Sequence, residues 1–459
     1  MNLLIHDLSA ADWDRIAGDY EGWMVVSDTG GIQPCVGCFS CWNSGTGKCV
    51  IKDGYENMGE LLHLADEVVY MSKYTYGGFS SFVKNVWDRS LGYVLPEFEA
   101  AYGEMHHKRR YPQDRPVTFR FRGSGLTEED KQKARDYVAA VCRNLRGSVK
   151  EVIFDECDPE MTQRGDEAEC AKDAGSDAVE NAGRGVAGSD AEGASGIEAD
   201  GQNETVAHIR ETETAERAGI LLVDCSIRGE RSNSRVFLKQ LQVYLAAGID
   251  PNNLETGAEP NSLAPGAELL SLAGGTDSDE IAEAISRAET VVLGVPLYVD
   301  GIPASALRLM EKVQARGAGE RCKLYAVVNN GLYESRQNDN LVSMIRDWCG
   351  ESGCIYCGAL AIGAGELVGT LMRGKERKMI LWPAHNAAFG LRQLAEAIIS
   401  GAVLKGTAAG SKSIAADGAN TDDEVATLYA DPYRFPRSLY ILIANASWQK
   451  NKWRARGTI

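Results

Sequence analysis

The chain reads as an α/β protein of two consecutive domains, each a five-stranded parallel sheet with helices on both faces. Three observations predict this. Short apolar strands alternate with amphipathic helices, and the alternation runs twice. Between the two runs lies a stretch, 156–217, with 17 acidic and 5 basic residues and no aromatic ring. Strand ends in the second run open into loops rich in Ser, Asn and Gly.

In the first run, Asn2–His6 and Gly22–Ser27 have the apolar content of buried strands. Tyr55–Ala65 places Met58, Leu61, Leu62 and Ala65 at helical spacing. A strand over Glu67–Ser72 and a helix over Phe82–Leu91 follow. Next come a strand over Val117–Arg122, a helix over Glu128–Leu145 that Thr127 can cap, and a strand over Glu151–Phe154. The second run gives strands at Gly219–Asp224, Glu268–Leu272, Thr290–Leu297, Lys323–Val328 and Ile355–Ile362. Its helices are Asn233–Ala247, Ser278–Arg287, Ala304–Gln314, Asn340–Trp348 and Asn386–Ile399. Five strands with alternating helices suggest the flavodoxin-like order, in which ligands bind beyond the carboxyl ends of the strands at the switch point. The expected boundaries are a first domain over 1–155, an acidic disordered linker over 156–217 and a second domain over 218–402. A flexible segment follows over 403–430, and a C-terminal helix within 431–459 docks on the second domain.

Length and composition set further bounds. With 459 residues and 44% hydrophobic content, the chain is long enough for two globular domains. The run Met1–Asp7 is too short and too soon acidic for a signal peptide, and no apolar run reaches about 20 residues, the length that spans a bilayer. A cytoplasmic protein that avoids the membrane is the expectation. The net charge is −17, most of it in 156–217, and no basic stripe recommends nucleic acid as a partner.

The sharpest motif is Ser226-Ile227-Arg228-Gly229-Glu230-Arg231-Ser232-Asn233-Ser234, which follows a strand and opens a helix. Hydroxyls, an amide, helix N-terminal N–H groups and an arginine fork converge there, as an anion site requires. The alternative is an ordinary capped turn. The segment resembles the FMN-phosphate loop of the NADPH-dependent FMN reductase family, with Cys225 where the family has Gly and Ile227 where it has Pro. Gly294–Val299 resembles the loop that flanks the flavin. Asn329–Glu334 falls where the family meets the isoalloxazine edge. The resemblance spans Gly219–Gly401 plus the terminal helix. It implies FMN held by Ser226, Arg228, Ser232, Asn233 and Ser234, with Pro296, Leu297, Tyr298, Val299, Asn329, Asn330 and Gly331 around the ring. It also implies NADH or NADPH as donor and a small-molecule or protein electron acceptor. A flavodoxin-like carrier without its own nicotinamide reaction and a flavin-free scaffold are the alternatives.

A second motif is Cys35-x2-Cys38-x2-Cys41-x7-Cys49, in a chain of twelve cysteines. Four thiolates at this spacing suit a [4Fe–4S] cluster or zinc, or remain free or redox-active thiols. The run resembles the cysteine motif of iron–sulfur flavoproteins. The first domain's own strand-end loop, Asp7–Trp13, is acidic and repels a phosphate. Glu104–Tyr111, with His106 and His107, reads as a solvated loop or as an arm toward a cofactor phosphate of a neighbouring domain. Cys354 and Cys357 read as packing cysteines. Family members commonly dimerise, so a tandem chain is expected to pair its own two domains or to form a homo-oligomer, with Cys35–Trp42 or Glu104–Tyr111 at the seam.

Overall fold

Strand β1, Asn2–His6, buries Leu3, Leu4 and Ile5 completely, as a continuous apolar strand in a two-faced sheet must. The computed structural model describes residues 1–112, 114, 116–156, 218–246, 267–273, 277–317, 322–373, 382–405, 415–416 and 425–456. The linker expected over 156–217, apart from Glu156, and most of the flexible segment expected over 403–430 lie outside the described residues.

After β1 come α1 (Ala10–Ile16), β2 (Met24–Ser27), α2 (Ser40–Asn43), α3 (Met58–Leu64) and β3 (Glu67–Thr75). A short β4 (Gly78–Phe79) turns back on β3 through Tyr76 and Gly77, both at positive φ, and leads into α4 (Ser81–Arg89). Then follow β5 (Val94–Ala101), β6 (Glu104–Arg109), β7 (Pro116–Gly123), α5 (Glu128–Asn144) and β8 (Ser148–Glu156). The main sheet runs β2-β1-β3-β7-β8, all parallel. Helix α5 begins in a capping box: the Thr127 hydroxyl accepts from Asp130 N–H, and Asp130 accepts from Thr127 N–H.

The second half repeats the order. Its elements are β9 (Ala218–Asp224), α6 (Asn233–Ala246), β10 (Ala267–Ser271), α7 (Ser278–Arg287), β11 (Ala288–Pro296), α8 (Ala304–Arg316), β12 (Lys323–Asn329), α9 (Asp339–Ser352) and β13 (Ile355–Ile362). After them come α10 (Gly365–Arg373), α11 (His385–Ser400), β14 (Ala415–Ala416), β15 (Thr427–Ala430) and α12 (Arg437–Arg456). The sheet runs β10-β9-β11-β12-β13-β15-β14. Its first five strands are parallel and follow the order of the first half, so both halves are flavodoxin-like. The sheet exceeds the expected five strands because Thr427–Ala430, assigned from sequence to a flexible segment, pairs parallel with β13 and is fully buried.

Two further expectations are corrected. Glu104–Tyr111 is not a solvated loop: β6 pairs antiparallel with β5 as a two-stranded ribbon, with Met105 and His106 fully buried. Desolvation lowers the His106 pKa and takes that of His107 to about 4, so both rings are neutral near pH 7. Helix α12 does not dock on the second half alone. Tyr440 donates to Gly331 O (2.8 Å), while Asn445 accepts from Phe98 N–H (2.7 Å) and donates to Phe98 O (3.0 Å). The two halves share one hydrophobic cluster, in which Phe82, Val83 and Val86 of α4 face Ala306, Leu307 and Met310 of α8. Each of the larger of these side chains withdrawn from water contributes about 1.5–3 kcal/mol. Among the described residues, no helix is long and apolar enough to cross a membrane.

Candidate functional site

Sheet register brings three loops of the second half to one line. Asp224, where β9 ends, pairs with Gly294 of β11, Pro296 pairs with Asn329 of β12, and Asn329 pairs with Ile362 of β13. Beyond that line the chain stays bonded across the sheet: Cys225 N–H donates to Gly294 O (3.0 Å), Leu297 N–H to Asn329 O (2.7 Å) and Asn330 N–H to Ile362 O (3.1 Å). All twelve residues expected around FMN therefore stand at strand ends on one edge of the sheet.

The loop after β9 is built over a buried carboxylate that sequence reasoning passed over. Asp224 accepts from Ser226 N–H (3.1 Å), the Ser232 hydroxyl (3.1 Å) and the Ser271 hydroxyl (3.3 Å). Burial pushes its carboxyl up to about 6, against the pull of these donors. Ser226 Oγ accepts from Arg228 N–H, Ser232 Oγ from Arg235 N–H, and Ser234 Oγ from Asn329 Nδ2. All three serines are buried. The accepting role of Ser226 and Ser234 leaves their hydroxyl protons directed at a further acceptor. Helix α6 starts at Asn233, and the first N–H groups of a helix have no partner within it.

Two more residues belong to this loop and were missed. Both come from α10, a helix that apolar periodicity did not reveal. Arg373 donates to Asn233 Oδ1 (2.8 Å) and Arg231 O (2.9 Å). Its pKa is lowered first by burial, while Glu366 raises it and the like charge of Arg228 opposes it. Glu366 accepts from Asn233 Nδ2 (2.5 Å) and lies 3.7 Å from Arg228. Two arginines close enough to oppose each other, buried serine hydroxyls and a helix N-terminus are the donor set a phosphate monoester needs. The residues present thus fit an FMN phosphate, with Glu366 as a counter-charge at its margin.

The ring-flanking loops are equally specific. Tyr298 and Gly301 exchange N–H···O bonds (3.2 and 3.1 Å) across a turn that puts Val299 and Asp300 at φ of 40° and 59°. Asp300 is buried, accepts from Asn144 Nδ2 of the first half (2.5 Å) and has its carboxyl pushed up to about 7 by burial. Asn330 is buried with its Oδ1 unpaired, while its Nδ2 donates to Glu334 O (3.0 Å). Gly331 has open space above its Cα.

The first half supplies the walls. Lys84 and Asp88 form a fully buried ion pair on α4; Lys84 also donates to Tyr298 O (2.7 Å), and Asp88 accepts from Ala304 N–H (3.0 Å). Met105 N–H donates to Glu334 Oε2 (3.0 Å), so the ribbon β5–β6 reaches the loop after β12 rather than a cofactor phosphate. The cysteine loop lies on the remaining side. The ring of Phe39 carries the Arg228 guanidinium 4.9 Å from its centroid. A Cβ at Gly37 would run into the Tyr298 hydroxyl, and Gly37 sits at φ 60°.

The structure lends no support to the metal reading of that loop. Among the described residues, no three His, Cys, Asp or Glu side chains gather to hold a metal ion. Cys49 turns to the Arg89 guanidinium, and Cys35 accepts from Gly37 N–H. Burial pushes the Cys35 thiol up and takes that of Cys41 to about 12. Cys35, Cys38, Cys41 and Cys49 remain free thiols. Cys354 and Cys357 are buried. The first half's own strand-end loop is occupied by its side chains: Asp7 accepts from Lys73 N–H (2.8 Å) and pairs with Arg122 (3.1 Å).

No family model and no curated protein matches the chain. Among solved structures, it is similar to the Trp repressor binding protein of Bacillus subtilis, at 14% identity over 38% of this chain and 96% of that one, with a TM-score of 0.26. An NAD(P)H:quinone oxidoreductase of Methanothermobacter marburgensis gives 12% identity over 39% and 95%, with a TM-score of 0.26. An FMN-dependent NADH-azoreductase of Bacillus anthracis, solved with FMN, gives 11% over 39% and 98%, with a TM-score of 0.25.

Proposed function

We propose that this chain is an FMN-dependent oxidoreductase that passes electrons from NADH or NADPH to a small-molecule or protein acceptor. The observation that carries this reading is the convergence, on one sheet edge, of a buried serine and arginine loop at a helix N-terminus with the two loops fitted to flank a ring. FMN supplies the electron storage when bound. Ser226, Ser232, Ser234, Asn233, Arg228 and Arg373 would hold its phosphate. Pro296, Leu297, Tyr298, Val299, Asn329, Asn330 and Gly331 would border its ring, where N–H donors near the ring carbonyls favour the reduced charge. The cysteine loop, the β5–β6 ribbon and α12 exclude water, the role that a second subunit takes in a dimer. In this reading the chain is its own pseudo-dimer, and it works in the cytoplasm.

Anaerobic stopped-flow reduction tests the proposal. Full-length protein loaded with FMN should lose its 450 nm absorption on mixing with NADPH or NADH. Tight FMN binding without reduction by either nucleotide would make the chain an electron carrier. No FMN binding in a fluorescence titration would leave only the scaffold.

A further inference from the structure

The cysteine loop does more than cover a ring. Among the described residues, the six cysteines outside it, Cys142, Cys225, Cys322, Cys349, Cys354 and Cys357, are all buried. Cys38 is exposed, and Cys35, Cys41 and Cys49 are partly exposed. The loop is also firmly held. Arg89 makes a two-pronged contact with Asp53 (2.7 and 2.9 Å) and donates to Gln33 O (2.7 Å). Trp42 Nε1 donates to Leu91 O (3.0 Å) and Val94 O (3.1 Å), and Arg110 donates to Gly92 O (2.6 Å) and Gly45 O (3.0 Å). Such anchoring gives the thiols a fixed position, which covering a cofactor alone does not need.

That position is against the ring-flanking loop. Gly37 presses on Tyr298 and on the Arg228 stem, and Phe39 takes the Arg228 guanidinium on its face. The sulfurs of Cys35 and Cys38 lie within electrostatic reach of the Tyr298 hydroxyl, and Cys41 lies within reach of Cys49 and of Cys38. Between Cys38 and Cys41 the chain folds tightly: Phe39 is left-handed at φ 57°, and its carbonyl accepts from Trp42 N–H (3.0 Å) and Asn43 N–H (2.9 Å). A C-x-x-C pair in a compact turn is the spacing that a reversible disulfide uses.

We propose that Cys38 and Cys41 form a redox-active dithiol that exchanges electrons with the flavin and with a small external disulfide. This rests on the FMN reading above. The Cys38–Cys41 disulfide takes an electron pair from the reduced flavin. Its S–S bond breaks, and the two sulfurs end as thiols with one proton from the flavin and one from solvent. The exposed Cys38, as thiolate, then attacks the external disulfide RSSR and expels the first RS⁻. The Cys41 thiol, which burial keeps protonated near neutral pH, gives its proton to the departing second RS⁻ as its sulfur attacks the mixed disulfide and restores the starting bond. The net reaction is NAD(P)H + H⁺ + RSSR → NAD(P)⁺ + 2 RSH.

The test uses the full chain and two separate readouts. FMN binding is first measured by fluorescence titration. The FMN-loaded protein is then treated anaerobically with oxidised glutathione, desalted, alkylated and mapped by mass spectrometry, before and after NADPH or NADH. The expected result is that Cys38 and Cys41 escape alkylation after the oxidant and regain it after nicotinamide only when FMN is present. Cys38→Ser and Cys41→Ser should each lower nicotinamide-dependent thiol release from oxidised glutathione at least 100-fold, while Cys142→Ser, in the core, leaves it unchanged. If FMN binds and is reduced, yet Cys38 and Cys41 stay alkylatable after the oxidant or stay bonded after nicotinamide, the dithiol is overturned and the flavin reading stands. Absence of FMN binding, seen in the titration itself, overturns both.

Discussion

The two halves share a strand order, yet their first strand ends do opposite things. After β1, Asp7 pairs with Arg122 and takes the Lys73 N–H, so the crevice at the switch point is filled by the chain's own charges. After β9, the acid is drawn inward, where Asp224 is buried and binds hydroxyls, and the arginines stay near the surface of the loop. One scaffold therefore yields either a closed end or an anion cradle, according to which side of the backbone carries the carboxylate. In the proposed reading, anion binding belongs to this loop and its α10 partners and not to the fold.

The comparison breaks first at that loop. Arg228→Ala with Ser234→Ala removes hydrogen bonds to a charged phosphate worth about 1.5–3 kcal/mol each, so FMN affinity should fall by about two to four orders of magnitude. Asp7→Asn with Arg122→Gln, the matching change in the first half, should leave FMN affinity unchanged. A fluorescence titration of both double variants decides whether the halves differ as described.

The facing helices sharpen it next. Helix α8 meets the seam with apolar side chains, and α4 meets it with Phe82, Val83 and Val86 and also with Lys84 and Asp88, both buried. Lys84→Met strands a buried carboxylate and should cost about 3–5 kcal/mol in a denaturant melt, whereas Lys84→Met with Asp88→Leu should recover most of the loss. Equal stability of the single and double variants would contradict the reading of the pair.

Asp300 has a carboxyl raised to about 7 from its unfolded range near 4, through burial at the seam. A raised acid favours the folded state most while protonated. Its contribution is full below about pH 4 and is lost as pH rises through 7, on the order of 4 kcal/mol. Asp300→Asn should flatten that part of the melting-temperature profile. An unaltered profile would mean that Asp300 titrates normally.

The smallest effect is expected at Glu366, which is half exposed and beside Arg228. Glu366→Gln should tighten FMN severalfold, about 0.5–1 kcal/mol, by removing a like charge from the phosphate. Weaker binding in that variant would show that Glu366 orients Asn233 more than it repels.

What the sequence made legible was local. The apolar run of β9, the Ser-Asn-Ser helix start and the order of the three strand-end loops were legible in the sequence, while their register is set by the sheet. What stayed hidden depends on partners far along the chain. Lys84 and Asp88 stand at i and i+4, the spacing of an ordinary solvated pair, and are buried only because α8 covers them. His106 looked like part of a basic loop, and becomes core because Asn144 of α5 bonds its ring (2.5 Å). Thr427–Ala430 is four residues long, too short for periodicity to register, and is a strand because β13 offers it an edge. Arg373 and Glu366 meet the loop after β9 through polar side chains, so an apolar pattern does not point to them.

The shared core of α4 and α8 has a consequence for heredity. Were the gene to divide between the halves, each product would carry a greasy face made for a particular mate, along with one member of a set of matched polar contacts: the Lys84 donor on one side, the Tyr298 carbonyl on the other. Two genes would then have to be expressed in equal amounts to keep those faces covered. Keeping both halves in one reading frame fixes that ratio at one to one, and lets either half drift in its loops while its mate is always made alongside it.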